Sequence, residues 1–143
     1  MTPYHAFLNK PCPCQSTSKS PISFSNCCFN FISQTQNPLT AEQLMRSRYT
    51  AFVIEDEAYL LKTWHSKTRP TSIQFDPLSK WLGLKVKATE LGNKEDQIGW
   101  VTFVARYKIT GKAHRLEENS YFSRESGQWC YVSEDKSHHT RTS

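Results

Sequence analysis

Glycine is scarce in this sequence, five residues among 143, and none of them builds a phosphate-cradling loop or a dinucleotide fingerprint. The G-x-S-x-G elbow and the H-E-x-x-H pair are missing too, so no standard reaction class is signalled. No apolar run approaches the roughly 18 residues a membrane helix needs. The opening "MTPYHAFLNKPC" lacks both the basic start and the apolar stretch of a secretory signal. These absences lead to the expectation of a cytoplasmic chain with no membrane partner. An excess of one charge is also lacking: a net +5 is modest beside the dense basic clusters of dedicated nucleic-acid binders.

Cysteine is what the chain does have. Five residues is an odd number, and in a reducing compartment closely spaced thiols are more often metal ligands or redox groups than structural bridges. Four of them fall in "PCPCQSTSKSPISFSNCCF", as Cys12-Pro13-Cys14 and Cys27-Cys28, with twelve residues between the pairs. Four thiolates suit the tetrahedral preference of zinc, and the spacer is long enough to bring the pairs together. A metal would also give this polar stretch an order that it cannot draw from a hydrophobic core. Reduced or redox-active thiols are the alternative reading. Cys130, between Trp129 and Tyr131, reads as a small packed hydrophobe.

The rest has the length of one domain, for which burial of roughly 70% of the extended surface is expected. Residues 1–38, rich in Pro, Ser and Asn, form the cysteine segment and a linker; 39–135 form the main unit; 136–143 are a polar tail expected to fray. Thr40 and Gln43 have the form of a capping box, predicting a helix over Ala41 to Ile54 with Leu44, Met45, Tyr49, Phe52 and Val53 on its apolar stripe. Arg48 falls on that stripe; Arg46 and Glu42 do not. "EDEAYLLKTWH" reads as a second helix with Ala58, Leu61 and Trp64 inward and acidic residues at its positive end.

From Trp81 the period becomes two. Leu82, Leu84, Val86 and Ala88 share one strand face, "QIGWVTFVARYKI" is apolar on both faces, and "AHRLEENSYFS" and "QWCYVS" follow, joined by the turn "RESGQ". Helices followed by strands give an α+β fold, with two N-terminal helices packed on one face of a curved antiparallel sheet and an irregular knuckle ahead of them.

These residues resemble a known family. C-P-C, a spacer and C-C before an aromatic resemble the SEC-C zinc motif, best known from the tail of the bacterial preprotein translocase ATPase. "LMRSRYTAFVIEDEAYLLKTWH", "WLGLKV", "IGWVTFVARY" and "ENSYFSRESGQWCYV" are similar to the YchJ family, in its order. The resemblance implies a structural zinc held by Cys12, Cys14, Cys27 and Cys28, ahead of a cone-like domain similar to nuclear transport factor 2. It also implies protein docking through the knuckle, with the ribosome as one such partner, and leaves the oligomeric state open, a homodimer included. The sequence departs from the motif in its spacer, twelve residues where about eight are usual, and in Gln15, which replaces the usual Gly. The second departure is costly only if that backbone position needs a positive φ.

Within the cone, Glu118 shares a strand face with Leu116 and Phe122, and a carboxylate on an apolar face needs a partner. Arg48 is the candidate, either as an internal ion pair or as the opposite wall of a ligand pocket that also takes Tyr49, Trp64 and Arg106. His65, expected at a helix C-terminus, and Glu118 are the weak catalytic candidates. His114 is expected to be exposed, and Trp81, Trp100, Trp129, Tyr49 and Tyr107 are expected in an aromatic core. The favoured reading is a non-catalytic binding or adaptor module. A small enzyme or ligand receptor using Arg48 and Glu118 comes second, and ribosome or nucleic-acid contact third.

Overall fold

The computed structural model describes residues 5–136. The N-terminal stretch forms three single 3-10 turns, His5–Phe7, Pro13–Gln15 and Phe24–Asn26, and then a one-turn helix α1, Phe29–Ile32. Phe24 and Ile32 are buried with Cys12, Cys14 and Cys28 in the same hydrophobic cluster as Leu44, Leu60, Leu84, Val101 and Phe122. The expectation that this segment lacks a hydrophobic source of order is therefore corrected. Its few apolar residues are concentrated next to the cysteines and join the main core.

Helix α2, Ala41–Ile54, starts where the capping signal places it. Thr40 Oγ1 accepts the Gln43 N–H at 3.1 Å, while Gln43 Oε1 reaches past the cap to the Leu39 N–H at 2.7 Å. Glu55, at φ 60°, ends it in the left-handed conformation. Asp56 Oδ1 then accepts the Tyr59 N–H at 3.0 Å and caps α3, which covers only Glu57–Lys62. The second helix is thus shorter than expected at both ends, and its inward face is Tyr59 and Leu60, with Ala58 exposed. The chain leaves α3 because Thr63 and His65 pair with the sheet. Tyr131 donates its N–H to Thr63 O, and His65 donates its own to Tyr131 O, both at 2.8 Å.

The sheet is an antiparallel meander in the order β1-β2-β3-β4, formed by Ser79–Leu91, Ile98–Ile109, Lys112–Glu125 and Gln128–Glu134. Thr110-Gly111 and Ser126-Gly127 close the last two hairpins with positive φ at both positions, the geometry that matches strand twist. β1 carries bulges between Trp81 and Gly83 and between Val86 and Ala88. Each inserts one residue and bends the strand, so the expected face breaks: Leu84 is buried, but Leu82 is 45% exposed and Ala88 is exposed. At the β1–β2 corner Gly99 packs on Gly92, where a β-carbon would meet Gly92 Cα at 2.4 Å, and Gly92 O accepts the Ala41 N–H at 2.9 Å. This contact fixes the start of α2 against the sheet. No helix among the described residues is long and apolar enough to cross a membrane. The tail expected to fray lies, from 137 on, outside the described residues.

Candidate functional site

Cys12 precedes the Pro13–Gln15 turn, and Cys27 and Cys28 lie between the Phe24–Asn26 turn and α1. The base of the spacer is pinched by two backbone bonds, Cys12 N–H to Ile22 O and Phe24 N–H to Lys10 O, each 2.8 Å. The long spacer therefore bulges outward, exposed from Ser16 to Ile22, without separating the pairs. The four Sγ atoms lie within 4.8 Å of one another, with Cys14 to Cys27 and Cys14 to Cys28 both 3.5 Å apart. Tetrahedral zinc with sulfur at about 2.3 Å needs sulfurs about 3.8 Å apart, so the set fits that ion. All four are free thiols, and Cys12, Cys14 and Cys28 are buried.

Their crowding also has an electrostatic consequence. Hydrogen bonding from Cys14 and the other two thiols holds Cys12 far below the ordinary thiol value, while contact with Cys12 and burial hold Cys14 and Cys28 above it. Against the raising effect of Cys12, contact with Cys14 and Cys28 lowers Cys27 as well, and a dication would favour ionisation of all four. Gln15 does not adopt a positive φ. Its side-chain Nε2 donates toward Cys14 Sγ at 3.6 Å and Cys27 Sγ at 3.7 Å, so the departure from Gly adds sulfur contacts. Arg46, off the apolar stripe, donates from Nη1 to Cys14 O at 2.8 Å.

A cavity of about 230 Å³ lies between α2 and the sheet and is lined by Arg48, Tyr49, Trp64 and Glu118 from the expected pocket. Leu116, Glu118, Ser120 and Phe122 alternate into it from β3 as the period requires. The Arg48–Glu118 ion pair does not form. Arg48, only 6% exposed, donates from Nη1 to Leu60 O at 2.8 Å and Thr63 Oγ1 at 2.7 Å at the end of α3, with its guanidinium carbon 5.0 Å from the Trp64 ring and 4.8 Å from that of Tyr131. Burial lowers its pKa to about 10, which still leaves it charged at neutral pH. Glu118 Oε2 accepts from Ser120 Oγ at 2.7 Å, and burial raises its carboxyl above the ordinary value.

The structure separates other expected site residues from the cavity. Arg106 follows Ala105 by one position, so it faces the other side of β2 and lines an outer groove with Lys85 and Arg115. Its place was legible, because Phe103 and Ala105 mark the inner face. His65 sits past the end of α3, not at a helix terminus, and its Nδ1 accepts the Lys67 N–H at 3.1 Å. His114 is half-buried rather than exposed and stacks on Tyr107 at 5.2 Å. Of the expected aromatic core, Tyr49 and Trp81 line the cavity, Trp129 is packed, and Trp100 Nε1 is tied to Asp135 at 2.7 Å. Sequence reasoning missed Thr63 and Tyr131 as partners of Arg48, since Thr63 comes into reach only because α3 stops at Lys62, and Tyr131 only because β4 pairs with the chain just past it.

A family model described as the YchJ middle NTF2-like domain matches residues 40–134. A UPF0225 protein of Chromobacterium violaceum is 44% identical over 126 residues, 85% of this chain and 90% of the relative. Another, of Streptomyces avermitilis, is 44% identical over 124 residues, 87% of this chain and 86% of its own. A solved SEC-C motif containing protein of Rhodopseudomonas palustris has a TM-score of 0.74 at 26% identity, over 87% of this chain and 97% of that one. A second, of Psychrobacter arcticus, shares the fold at a TM-score of 0.73 and 23% identity, over 92% and 84%.

Proposed function

The chain belongs to the YchJ-like UPF0225 family, and from that premise we propose that its cysteine quartet holds one structural zinc ion and that the chain serves as a non-catalytic binding module. The observation that carries this reading is the gathering of four Sγ atoms within 4.8 Å, three of them on buried residues. Four protein sulfurs close the coordination sphere and leave no position for a substrate, which separates structural from catalytic zinc. Bound there, the ion would fix the knuckle against α2 and β1.

In this reading the partner is another protein docking on the exposed loop from Ser16 to Ile22. Ribosome or nucleic-acid contact draws little support from the outer sheet face, where Glu117 takes ion pairs from Lys87 at 3.5 Å and Arg115 at 3.0 Å. A second reading, the cone as receptor for a small ligand, draws support from Arg48 and Glu118, which line one cavity without pairing.

Elemental analysis of protein purified without chelator tests the main reading. About one zinc per chain is the expected result, with four thiols shielded from a thiol reagent until a chelator is added. Metal-free protein with four freely titratable thiols and an unchanged melt would overturn it.

A further inference from the structure

A guanidinium buried away from water is costly unless its charge and its donors are met. Arg48 is met only in part. Nη1 has its two acceptors and two aromatic rings flank the group, but among the described residues no carboxylate lies within ion-pair distance and no acceptor reaches Nε or Nη2. Trp64, against the same guanidinium, has a buried Nε1–H with no acceptor among the described residues. The free donors of Arg48 thus belong to the wall of the cavity, whereas the Trp64 Nε1–H is sealed from it.

We infer that this cavity receives a small monocarboxylate with an apolar body, the carboxylate oxygens accepting from the Arg48 donors that Leu60 and Thr63 leave free. The inference rests on the cone being a receptor and is independent of the metal. Arg48 is the cation of a cavity that also holds the Glu118 carboxyl, so a monocarboxylate adds one negative charge there while a phosphate dianion adds two. A planar carboxylate also matches the fork of a guanidinium. The apolar body follows from the remaining wall, which includes Met45, Phe52, Trp81, Phe103 and Phe122. Its size follows from the 230 Å³ available, below the roughly 300–1,000 Å³ of sites for drug-sized ligands. One ring or a short branched chain fills that space.

The test uses the full chain and three probes, phenylacetate, benzoate and 3-methylbutanoate, each beside its neutral amide. The readout is the indole N–H resonance of Trp64, assigned through Trp64→Phe, together with the thermal midpoint. At least one acid is expected to shift that resonance and raise the midpoint, with its amide weaker by about tenfold or more. Trp64→Phe keeps the ring packing and removes a buried unsatisfied donor, so it should leave stability unchanged or higher and the preference for acid over amide intact. Arg48→Lys should abolish the preference for acid over amide; if it fails to fold, the comparison of each acid with its amide on the wild-type chain still decides. Amides binding as well as acids would overturn the carboxylate assignment while leaving the receptor reading standing. No response to any probe at about 20 mM would overturn both.

Discussion

Thr50 places its hydroxyl oxygen 3.6 Å from Cys12 Sγ, two residues along α2 from the arginine that lines the cavity. One helix therefore backs the cysteine quartet and walls the cone. Arg46 of the same helix holds the Cys14 carbonyl, and the buried cysteines belong to the main hydrophobic cluster. With no separate core beneath the knuckle, its loss cannot be confined to the N-terminus.

Removing the metal, or replacing the half-exposed ligand by Cys27→Ser, is expected to lower the melt of the whole chain in one transition. Structural zinc sites supply on the order of 10 kcal/mol in isolated fingers, and at this chain length each kcal/mol moves the midpoint by about 3 °C. Part of that energy is offset here by the knuckle's own buried Phe24 and Ile32, so a fall of about 10 °C or more is expected. Calorimetry checks it: two transitions with the larger one unmoved would show that the knuckle folds by itself.

Gln15→Gly should weaken metal binding although it restores the residue usual in the motif. The backbone at Gln15 does not require a glycine, and the amide contacts to Cys14 and Cys27 would be lost. Groups bonded to metal ligands commonly contribute about tenfold or more in affinity. Competition with a chromophoric chelator measures the difference, and equal affinities would count against the role given to the amide.

Glu118→Gln should flatten the acid side of the stability profile. Burial raises the carboxyl of Glu118 above its ordinary 4.5, with the Ser120 hydroxyl pulling the other way. An acid raised in the fold favours the native state while protonated, so its contribution is complete below the unfolded value and is lost as pH rises through the folded one. Partial exposure keeps the effect small. Urea midpoints between about pH 4 and pH 7 should fall for the wild type relative to the variant; parallel profiles would contradict this.

Gly99→Ala should cost more than Gly111→Ala. At Gly99 a β-carbon meets Gly92 backbone at 2.4 Å, which the corner can relieve only by moving the start of α2, at a cost of about 2–3 kcal/mol. At Gly111 the space is open and only the left-handed φ of 84° penalises alanine, by about 1 kcal/mol. Denaturant unfolding of the two variants gives the order directly.

Local signals carried the parts of this fold that local chemistry decides. The Thr40 cap and the apolar stripe place α2 to the residue, and the twofold alternation of β3 brings Leu116, Glu118 and Phe122 to one cavity. Cysteine spacing was enough to nominate the quartet. What the sequence concealed depends on contacts distant along the chain. The β1 bulges change which side chains are buried, yet no residue pattern marks Trp81 or Val86 as their sites. The Arg48–Glu118 pair was reasonable from polarity alone, but the carbonyl of Leu60 and the hydroxyl of Thr63 reach the guanidinium first, because α3 ends at Lys62.

The spacer loop also touches the sheet at its open side. Ser16 Oγ accepts the Leu84 N–H at 2.8 Å, and the Ser16 and Thr17 hydroxyls each donate to Leu84 O at 3.3 Å, on the outer edge of β1. At the opposite edge Thr63 and His65 take the backbone groups of Tyr131. Both rims of the meander are thus plugged partway along by segments too short to be strands. An unplugged rim is a template for further strands; another strand can pair with the backbone of Leu84 only after the cysteine loop lets go.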